Sequence, residues 1–177
     1  MERIVVCENF LTEDEIKKAV EIIEKKNWQF GHVSNGNKDL IETPFWSTSL
    51  NEDEFFSVYL KEIIEKHFQK KFKLDRVYAN GQTFGQDGTF HTDNKNENAY
   101  SFCLYLGKID KKYTEIAGGY IYFKLPENKF DICYEPIFNR GIFFPSNYLH
   151  KSTSYSRYVM NMRICVAWKM EEIIKPG

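Results

Sequence analysis

Two segments near the start of the chain carry apolar side chains at the spacing of an amphipathic helix. The first begins at Thr12, a favourable N-cap residue with Glu15 at the capping-box position, and its apolar stripe ends before Asn27. The second covers residues 52–70 and has an aromatic and aliphatic face. The polar, glycine-bearing stretch 32–49 between them predicts either a loop or a loose hairpin.

From residue 72 onward the pattern changes to short apolar or alternating runs, which are typical of β-strands. Turn residues such as Gly81, Gly107 and Gly119 separate the runs. The predicted strands are residues 75–79, 88–93, 100–106, 119–124, 141–145, 150–155 and 158–170. Short strands at this spacing favour an all-β sandwich or barrel-like core with the two helices packed outside it. The predicted fold class is therefore mainly β with N-terminal helices (α+β).

Length and composition fit one globular domain. The chain has 177 residues, of which 42% are hydrophobic and 16% aromatic, so it can bury a core and is not disordered. We predict one domain over residues 1–177, with a helical part at 1–73 and a β core at 74–170. The net charge of −1 provides no basic field, so neither nucleic acid nor a membrane is an expected partner. The sequence does not determine the oligomeric state.

The cysteines and the N-terminus bear on localisation. Cys7, Cys103, Cys133 and Cys165 are widely spaced and contain no CxxC pair, which predicts buried thiols in a reducing compartment. The first ten residues are acidic in part and lack a long apolar run, so we expect neither a secretory signal nor a membrane span. The predicted location is cytoplasmic.

The candidate chemistry lies in the motif His91-Thr92-Asp93 and in His150, which follows much later in the chain. Residues i and i+2 of a β-strand point to the same side, so His91 and Asp93 can reach one metal ion. A third ligand then has to come from another strand, which a large sequence gap permits. Two histidines and one carboxylate are the ligand set of non-heme Fe(II) sites that keep positions open for substrate and O₂.

A local pairing argument adds Arg163 to this set. If the chain folds back in a two-residue turn at Ser156 and Arg157, His150 lies directly opposite Arg163 on the next strand. The two side chains would then serve the two ends of one small dicarboxylate.

Several further blocks follow the tyrosine and glycine turn at residues 78–82 in a characteristic order. They are His91-Thr92-Asp93, the strand at 101–107, the Gly-Gly strand at 118–123, the Gly-Ile-Phe-Phe-Pro-Ser strand at 141–146, His150 and Arg163. In this order they resemble the catalytic domain of the prolyl 4-hydroxylase-like 2-oxoglutarate/Fe(II) dioxygenases, over residues 78–168. The resemblance implies a double-stranded β-helix (jelly-roll, cupin-like) core flanked by two helices. Gly107 departs from the family's usual Asn, and the lysine-rich insert 108–117 is long.

The resemblance also implies the roles of individual residues. His91, Asp93 and His150 would bind Fe(II), and Arg163 would pair with the distal carboxylate of 2-oxoglutarate, for which a guanidinium is well shaped. Its spacing from His150 is longer than the family's, which leaves Arg157 as the alternative.

Aromatic residues complete the predicted site. By the same resemblance the hydroxyls of Tyr78 and Tyr105 would reach the co-substrate, although core packing explains each tyrosine equally well. Trp46, in the polar stretch before the second helix, is a candidate for substrate contact or for anchoring. His32 and His67 have no partners at ligand spacing and are expected to be ordinary side chains.

The activity implied by the resemblance is hydroxylation of an unactivated C–H bond, coupled to conversion of 2-oxoglutarate and O₂ to succinate and CO₂, with ascorbate as reductant. A prolyl residue of a peptide or protein is the expected substrate. Two alternatives stay open: an AlkB-like or small-metabolite oxygenase on the same scaffold, and a cupin-like metal-binding protein that does not use 2-oxoglutarate.

Overall fold

The computed structural model describes residues 4–36, 39, 41–126 and 130–174. Within these ranges the strands form two antiparallel sheets. The strands are β1 (Val5–Cys7), β2 (Gln29–His32), β3 (Phe45–Ser49), β4 (Phe72–Gln82), β5 (Ala99–Tyr105), β6 (Ile121–Lys124), β7 (Ile132–Tyr134), β8 (Gly141–Pro145), β9 (Leu149–Ser152) and β10 (Arg163–Glu172). The helical elements are α1 (Glu13–Glu24), a π-helical segment (Phe55–Leu60), α2 (Lys61–Phe68) and a 3-10 segment (Lys111–Ile116).

The two sheets face each other, and the helices cover the outer side of the larger one. The larger sheet has the order β1-β8-β5-β10-β4-β3-β2, and the smaller one has the order β7-β6-β9. Side chains from both sheets, among them Tyr105, Phe123 and Phe144, form one buried cluster between them. A second cluster joins Ile23 and Ile64 of the helices to the sheet. The prediction of a mainly β core with two N-terminal helices on its outside is confirmed.

The helix predictions are confirmed with one local change. Thr12 and Glu15 form the predicted capping box at the start of α1. The second predicted helix begins as the π-helical segment and becomes regular only at Lys61. In this segment the Phe56 carbonyl oxygen accepts a hydrogen bond of 2.8 Å from the Trp168 indole N–H, which ties the segment to β10.

The central strand β10 separates the two buried clusters. Val166 and Trp168 point to the helices. Their neighbours Arg163, Ala167 and Lys169 point the other way and line the cavity described below. This alternation is the two-residue period of a strand that is buried on both faces.

The predicted hairpin at Ser156 and Arg157 is wrong. β9 lies in the smaller sheet and pairs with β6, so His150 is opposite Phe123, whereas Arg163 at the start of β10 is opposite Gln82 of β4. The segment that follows β9 does not turn back into β10. Instead, the Ser156 N–H donates to the carbonyl oxygen of Ala117. β10 therefore begins in the other sheet.

Several strand boundaries also differ from the prediction. The predicted strand 88–93 is reduced to one isolated bridge, between His91 and His150. The predicted strand 158–170 begins only at Arg163, and β4 is longer than expected. β2 and β3 pair antiparallel, so the stretch 32–49 is the end of a loose hairpin; residues 37, 38 and 40 within it lie outside the described residues. The strands β1 and β7 carried too few residues for the pattern to predict them.

Two other sequence predictions can be compared with the fold. Cys7, Cys103 and Cys165 are buried and free, but Cys133 is exposed, so the prediction of four buried thiols is wrong at this position. The reason is its place on β7, an edge strand of the smaller sheet. In the part of the chain that the structure describes, no helix has the length and apolar character needed to cross a bilayer.

Candidate metal centre

His91, Asp93 and His150 converge at one point between the sheets. The amide nitrogen of His91 donates to the carbonyl oxygen of His150 and the reverse bond is also made, both at 2.9 Å. Asp93 follows two residues after His91 and turns its carboxylate to the same side. One ligand atom from each of the three side chains lies within 4.8 Å of the others. The residues of the predicted triad are therefore brought together, in a geometry that can hold a metal ion.

Both imidazole rings are oriented by main-chain carbonyl groups. Nδ1 of His91 lies 2.9 Å from the carbonyl oxygen of Thr89, and Nδ1 of His150 lies 2.9 Å from that of Tyr148. An N–H at Nδ1 makes these bonds and leaves the lone pair of Nε2 directed at the centre. Burial, helped by the nearby His91 and Lys169, lowers the pKa of His150 to about 4 despite the opposing effect of Asp93. His150 is therefore neutral at pH 7 and ready to act as a ligand.

Asp93 is buried and ionised. Its Oδ2 accepts a hydrogen bond of 2.6 Å from the Ser101 hydroxyl and forms a close ion pair with Lys169. Its Oδ1 lies 3.6 Å from Nε2 of His91, and Oδ2 lies 3.4 Å from Nε2 of His150. Burial alone would raise the pKa of this carboxyl, but Lys169 and the two histidines hold it well below its usual value. The charge that a metal ligand needs is therefore already present.

Arg163 is a buried cation without a carboxylate partner among the described residues. It is 2% exposed. Its Nε donates to the carbonyl oxygen of Gly119 at 2.7 Å, and its Nη1 donates to Oε1 of Gln82 at 2.9 Å. Both acceptors are neutral, so these hydrogen bonds do not balance the positive charge of Arg163. A buried guanidinium of this kind favours an anion in the adjoining cavity.

Two polar atoms of the residues around the same cavity also lack partners in the described part of the chain. They are the Tyr105 hydroxyl and Oδ1 of Asn80, both buried. The Tyr105 ring lies under the Arg163 guanidinium, 5.0 Å from centre to centre. Burial raises the pKa of Tyr105 well above its usual value, so its hydroxyl is a hydrogen-bond donor at neutral pH. Buried polar atoms are rarely left unpaired, and the Tyr105 hydroxyl can donate to an oxygen atom of a ligand.

The triad and Arg163 open into the same cavity, of about 270 Å³. Tyr78, half-buried on β4, and Tyr105 on β5 also line it. The lining thus combines a negatively charged metal-ligand set, a free cation and two phenols. The chemistry of this donor set fits Fe(II) together with a small anionic ligand.

The other sequence candidates occupy different places. Arg157 is exposed and stacks over Phe84, 5.7 Å from the ring centre, and it is not part of the cavity lining. Trp46 packs on Phe30 at the far side of β3, whereas its neighbour Phe45 lines the cavity. Alternation along β3 explains the difference, since consecutive side chains of a strand point to opposite faces.

Sequence reasoning missed several residues of the cavity, among them His32 and Lys169. His32, which was expected to be an ordinary side chain, lines it beside Phe45. Lys169 lines it from β10 and contacts Asp93. A signal for Lys169 was available in the sequence, because a lysine stands on the same strand face as Arg163, six residues later in an otherwise apolar run.

Comparison with sequence families gives no match. Neither a family model nor a curated protein matches the chain.

Solved structures do share its fold. A prolyl hydroxylase from Trichoplax adhaerens, in complex with a peptide fragment of the hypoxia inducible factor oxygen degradation domain, aligns with a TM-score of 0.71 and 15% identity, over 96% of this chain and 83% of that one. A 2OG-Fe(II) oxygenase family oxidoreductase from Burkholderia pseudomallei aligns with a TM-score of 0.69 and 11% identity, over 95% and 84%. A Pseudomonas putida prolyl-4-hydroxylase aligns with a TM-score of 0.65 and 15% identity, over 95% and 92%.

These likenesses identify the class of fold. The chain has the jelly-roll fold of the 2-oxoglutarate/Fe(II) oxygenases, as the sequence resemblance implied. At such low identity the likeness concerns the fold, and the argument about activity depends on the side chains of the site.

Proposed function

We propose that this protein is a 2-oxoglutarate- and Fe(II)-dependent dioxygenase. One observation carries the proposal: a two-histidine, one-carboxylate cluster shares one cavity with Arg163, a buried cation that has no carboxylate partner among the described residues. A metal-binding protein without a co-substrate would not need the unpaired buried Arg163, because an unbalanced buried charge is costly. The oxygenase fold supports the same conclusion.

The protein side chains have distinct tasks in this proposal. His91, Asp93 and His150 hold Fe(II) on one side and leave the remaining positions for 2-oxoglutarate and O₂. Arg163, held in place by Gln82 and Gly119, binds the distal carboxylate, and the Tyr105 hydroxyl donates to the same group. Bound Fe(II) and 2-oxoglutarate would supply the oxidising chemistry. Ascorbate as reductant stays a prediction.

The substrate proposed is a prolyl residue of a peptide or protein. The rings of His32 and Phe45 lie 5.1 Å apart and, with Tyr78, form an aromatic wall of the cavity. Prolyl rings pack well against aromatic walls, as proline-recognition domains show. The peptide bound to the Trichoplax adhaerens structure supports a peptide substrate. Mass spectrometry of proline-containing peptides after turnover tests this part; oxidation of proline-free compounds alone would contradict it.

Anaerobic titration tests the co-substrate without knowledge of the substrate. Metal-free protein is loaded with Fe(II) and then with 2-oxoglutarate, and the visible metal-to-ligand charge-transfer absorption is recorded. We expect a band in the wild type, its loss in Asp93→Ala, and at least about a tenfold weaker binding of 2-oxoglutarate in Arg163→Met, because a charge-assisted bidentate contact is removed.

Arg157→Met is the matched control. This arginine is the alternative from the sequence, but it is exposed and lies outside the cavity lining, so its removal should leave the band unchanged. Iron binding with no band in the wild type would reject the dioxygenase and leave a cupin-like metal protein. A band that is lost in Arg157→Met and kept in Arg163→Met would reject the assignment of Arg163.

A further inference from the structure

Lys169 is a fully buried lysine next to a proposed metal ligand. Its Nζ forms a close ion pair with Oδ2 of Asp93 and lies 3.4 Å from the Ser101 hydroxyl. The side chains of Lys169 and Asp93 are only 8% and 5% exposed. Buried charges of this kind are tolerated only in pairs, because desolvation penalises each charge alone.

The pair is fixed by β10, β5 and the residue that follows β8. In the register of β10 and β5, Lys169 lies opposite Ser101. The Ser101 hydroxyl contacts the Ser146 hydroxyl at 2.9 Å, and the Asp93 amide nitrogen donates to the Ser146 carbonyl oxygen at 2.9 Å. Oδ2 of Asp93 therefore receives two hydrogen bonds from fixed donors. Oδ1 receives neither of them and lies 3.6 Å from Nε2 of His91, while Oδ2 also lies 3.4 Å from Nε2 of His150.

We infer that Lys169 is a positioning residue that acts through Asp93: with Ser101 it holds Oδ2 and so fixes the orientation of the carboxylate beside the two histidines, and it balances this buried carboxylate while no metal is bound. The inference rests on the proposed metal centre and deepens it. Lys169 and the metal ion then compete for one negative charge, which couples the stability of the metal-free protein to metal binding.

A double-mutant cycle on the metal-free protein tests the charge balance. In the wild-type background, Lys169→Met should lower Tm, because it leaves the Asp93 carboxylate buried without its cationic partner. The same change made in Asp93→Asn should raise Tm or leave it unchanged, since it removes a lysine that no longer has a partner. Lys61→Met is the control: it removes another lysine from a carboxylate, that of Glu65 at 2.8 Å, and should act equally in both backgrounds.

The cycle stays decisive if Lys169→Met does not fold. A folded double variant beside an unfolded single one would support the inference, because it shows that the lysine is needed only when the carboxylate is charged. A double variant that is no more stable than Lys169→Met, or that also fails to fold, would show that the lysine is needed for packing alone and would overturn the inference.

Cobalt binding provides a readout that a merely structural lysine would not change. Saturating Co(II) should raise the Tm of Lys169→Met about twice as much as that of the wild type, because the dication replaces the lost charge. The Co(II) absorption should also change in shape, because the Asp93 carboxylate loses one of the two donors that fix its orientation. Lys61→Met should match the wild type in both.

The outcomes separate this inference from the proposed function. If the wild type binds Co(II) but Lys169→Met shows the same Tm rise and the same spectrum, Lys169 does not act on the metal site. If the wild type does not bind Co(II) at all, the proposed metal centre itself fails, and the inference fails with it.

Discussion

At the scale of single residues, the site contains buried charged and polar groups that lower the stability of the protein when no ligand is bound. Among the described residues, Arg163 has a buried charge with neutral partners only, and the Tyr105 hydroxyl has no partner. Both features lower the stability of the protein: a buried charge without a counter-charge is costly, and a buried hydroxyl without a partner costs about 1–3 kcal/mol. Both groups lie on one wall of the cavity, so the cost is explained if they form a preorganised binding site.

Tyr105→Phe should therefore weaken ligand binding without weakening the fold. The free energy of unfolding should stay the same or rise by up to about 1 kcal/mol, because a buried hydroxyl without a partner is removed. The affinity for 2-oxoglutarate in the anaerobic titration should fall about fivefold, the value of one hydrogen bond of about 1 kcal/mol.

The control for this variant is Tyr155→Phe. Tyr155 is also buried, but its hydroxyl contacts the carbonyl oxygen of Gly107 at 3.5 Å, and it is not part of the cavity lining. Its replacement should leave 2-oxoglutarate binding unchanged. Equal effects of the two replacements on binding would contradict the role of the Tyr105 hydroxyl.

The residues of the site differ in how far the sequence could reveal them. His91 and Asp93 are two positions apart, so local geometry predicted that their side chains converge. Lys169 and Ser101 could not be paired in this way, because their contact depends on the register between β10 and β5. The sequence also did not predict Asn80 as a residue of the cavity. An asparagine next to a glycine indicates a turn, although here it lies within β4.

At the scale of elements, the helices were predictable and the strand partners were not. A helix is defined by contacts three or four residues apart, as the capping box of Thr12 and Glu15 shows. A strand acquires its partner from a distant part of the chain. The hairpin predicted between β9 and β10 was wrong for this reason, since β10 lies between β4 and β5 in the other sheet.

The junction between α2 and β4 depends on one buried carboxylate. Glu65 accepts from Lys61 at 2.8 Å, from Lys71 at 2.9 Å and from the Phe72 amide nitrogen at 2.9 Å. Burial would raise the pKa of Glu65, but the two lysines and the Phe72 amide lower it to about 2, from 4.5. The fold thus gains stability from the ionised form.

Glu65→Gln should remove part of the acid sensitivity of the protein. A depressed pKa in the folded state contributes stability above pH 4.5, and this contribution is lost as the pH falls towards about 2. Over this window the wild type should lose about 2–3 kcal/mol more than Glu65→Gln in denaturant unfolding. Glu62→Gln, at an exposed site on the same helix, should keep the wild-type profile. Parallel profiles for all three proteins would contradict this account.

At the scale of the whole molecule, the cavity lies between two sheets that contribute different ligands. β6 and β9 of the smaller sheet carry Phe123 and His150, whereas Arg163 and Lys169 lie on β10 of the larger one. A ligand that contacts both His150 and Arg163 joins the sheets. Its binding should stabilise the fold as a whole.

Thermal unfolding with Mn(II) and N-oxalylglycine, inert substitutes for Fe(II) and 2-oxoglutarate, measures this effect. At ligand concentrations a hundredfold above Kd, the stabilisation is about 2.7 kcal/mol, which for a chain of this size raises Tm by roughly 5–10 °C. Arg163→Met should reduce the shift to that of Mn(II) alone. A Tm that does not respond to N-oxalylglycine in the wild type would contradict a co-substrate that bridges the sheets.

The orientation of the two histidines has a consequence for evolution. The groups that hold their rings are the carbonyl oxygens of Thr89 and Tyr148, which every amino acid possesses. The side chains at these two positions can therefore change over generations without loss of the ligand geometry. A metal centre whose ligands are oriented by main-chain groups needs few invariant residues. The sequences of related proteins can therefore diverge widely while the fold and the ligand geometry are kept.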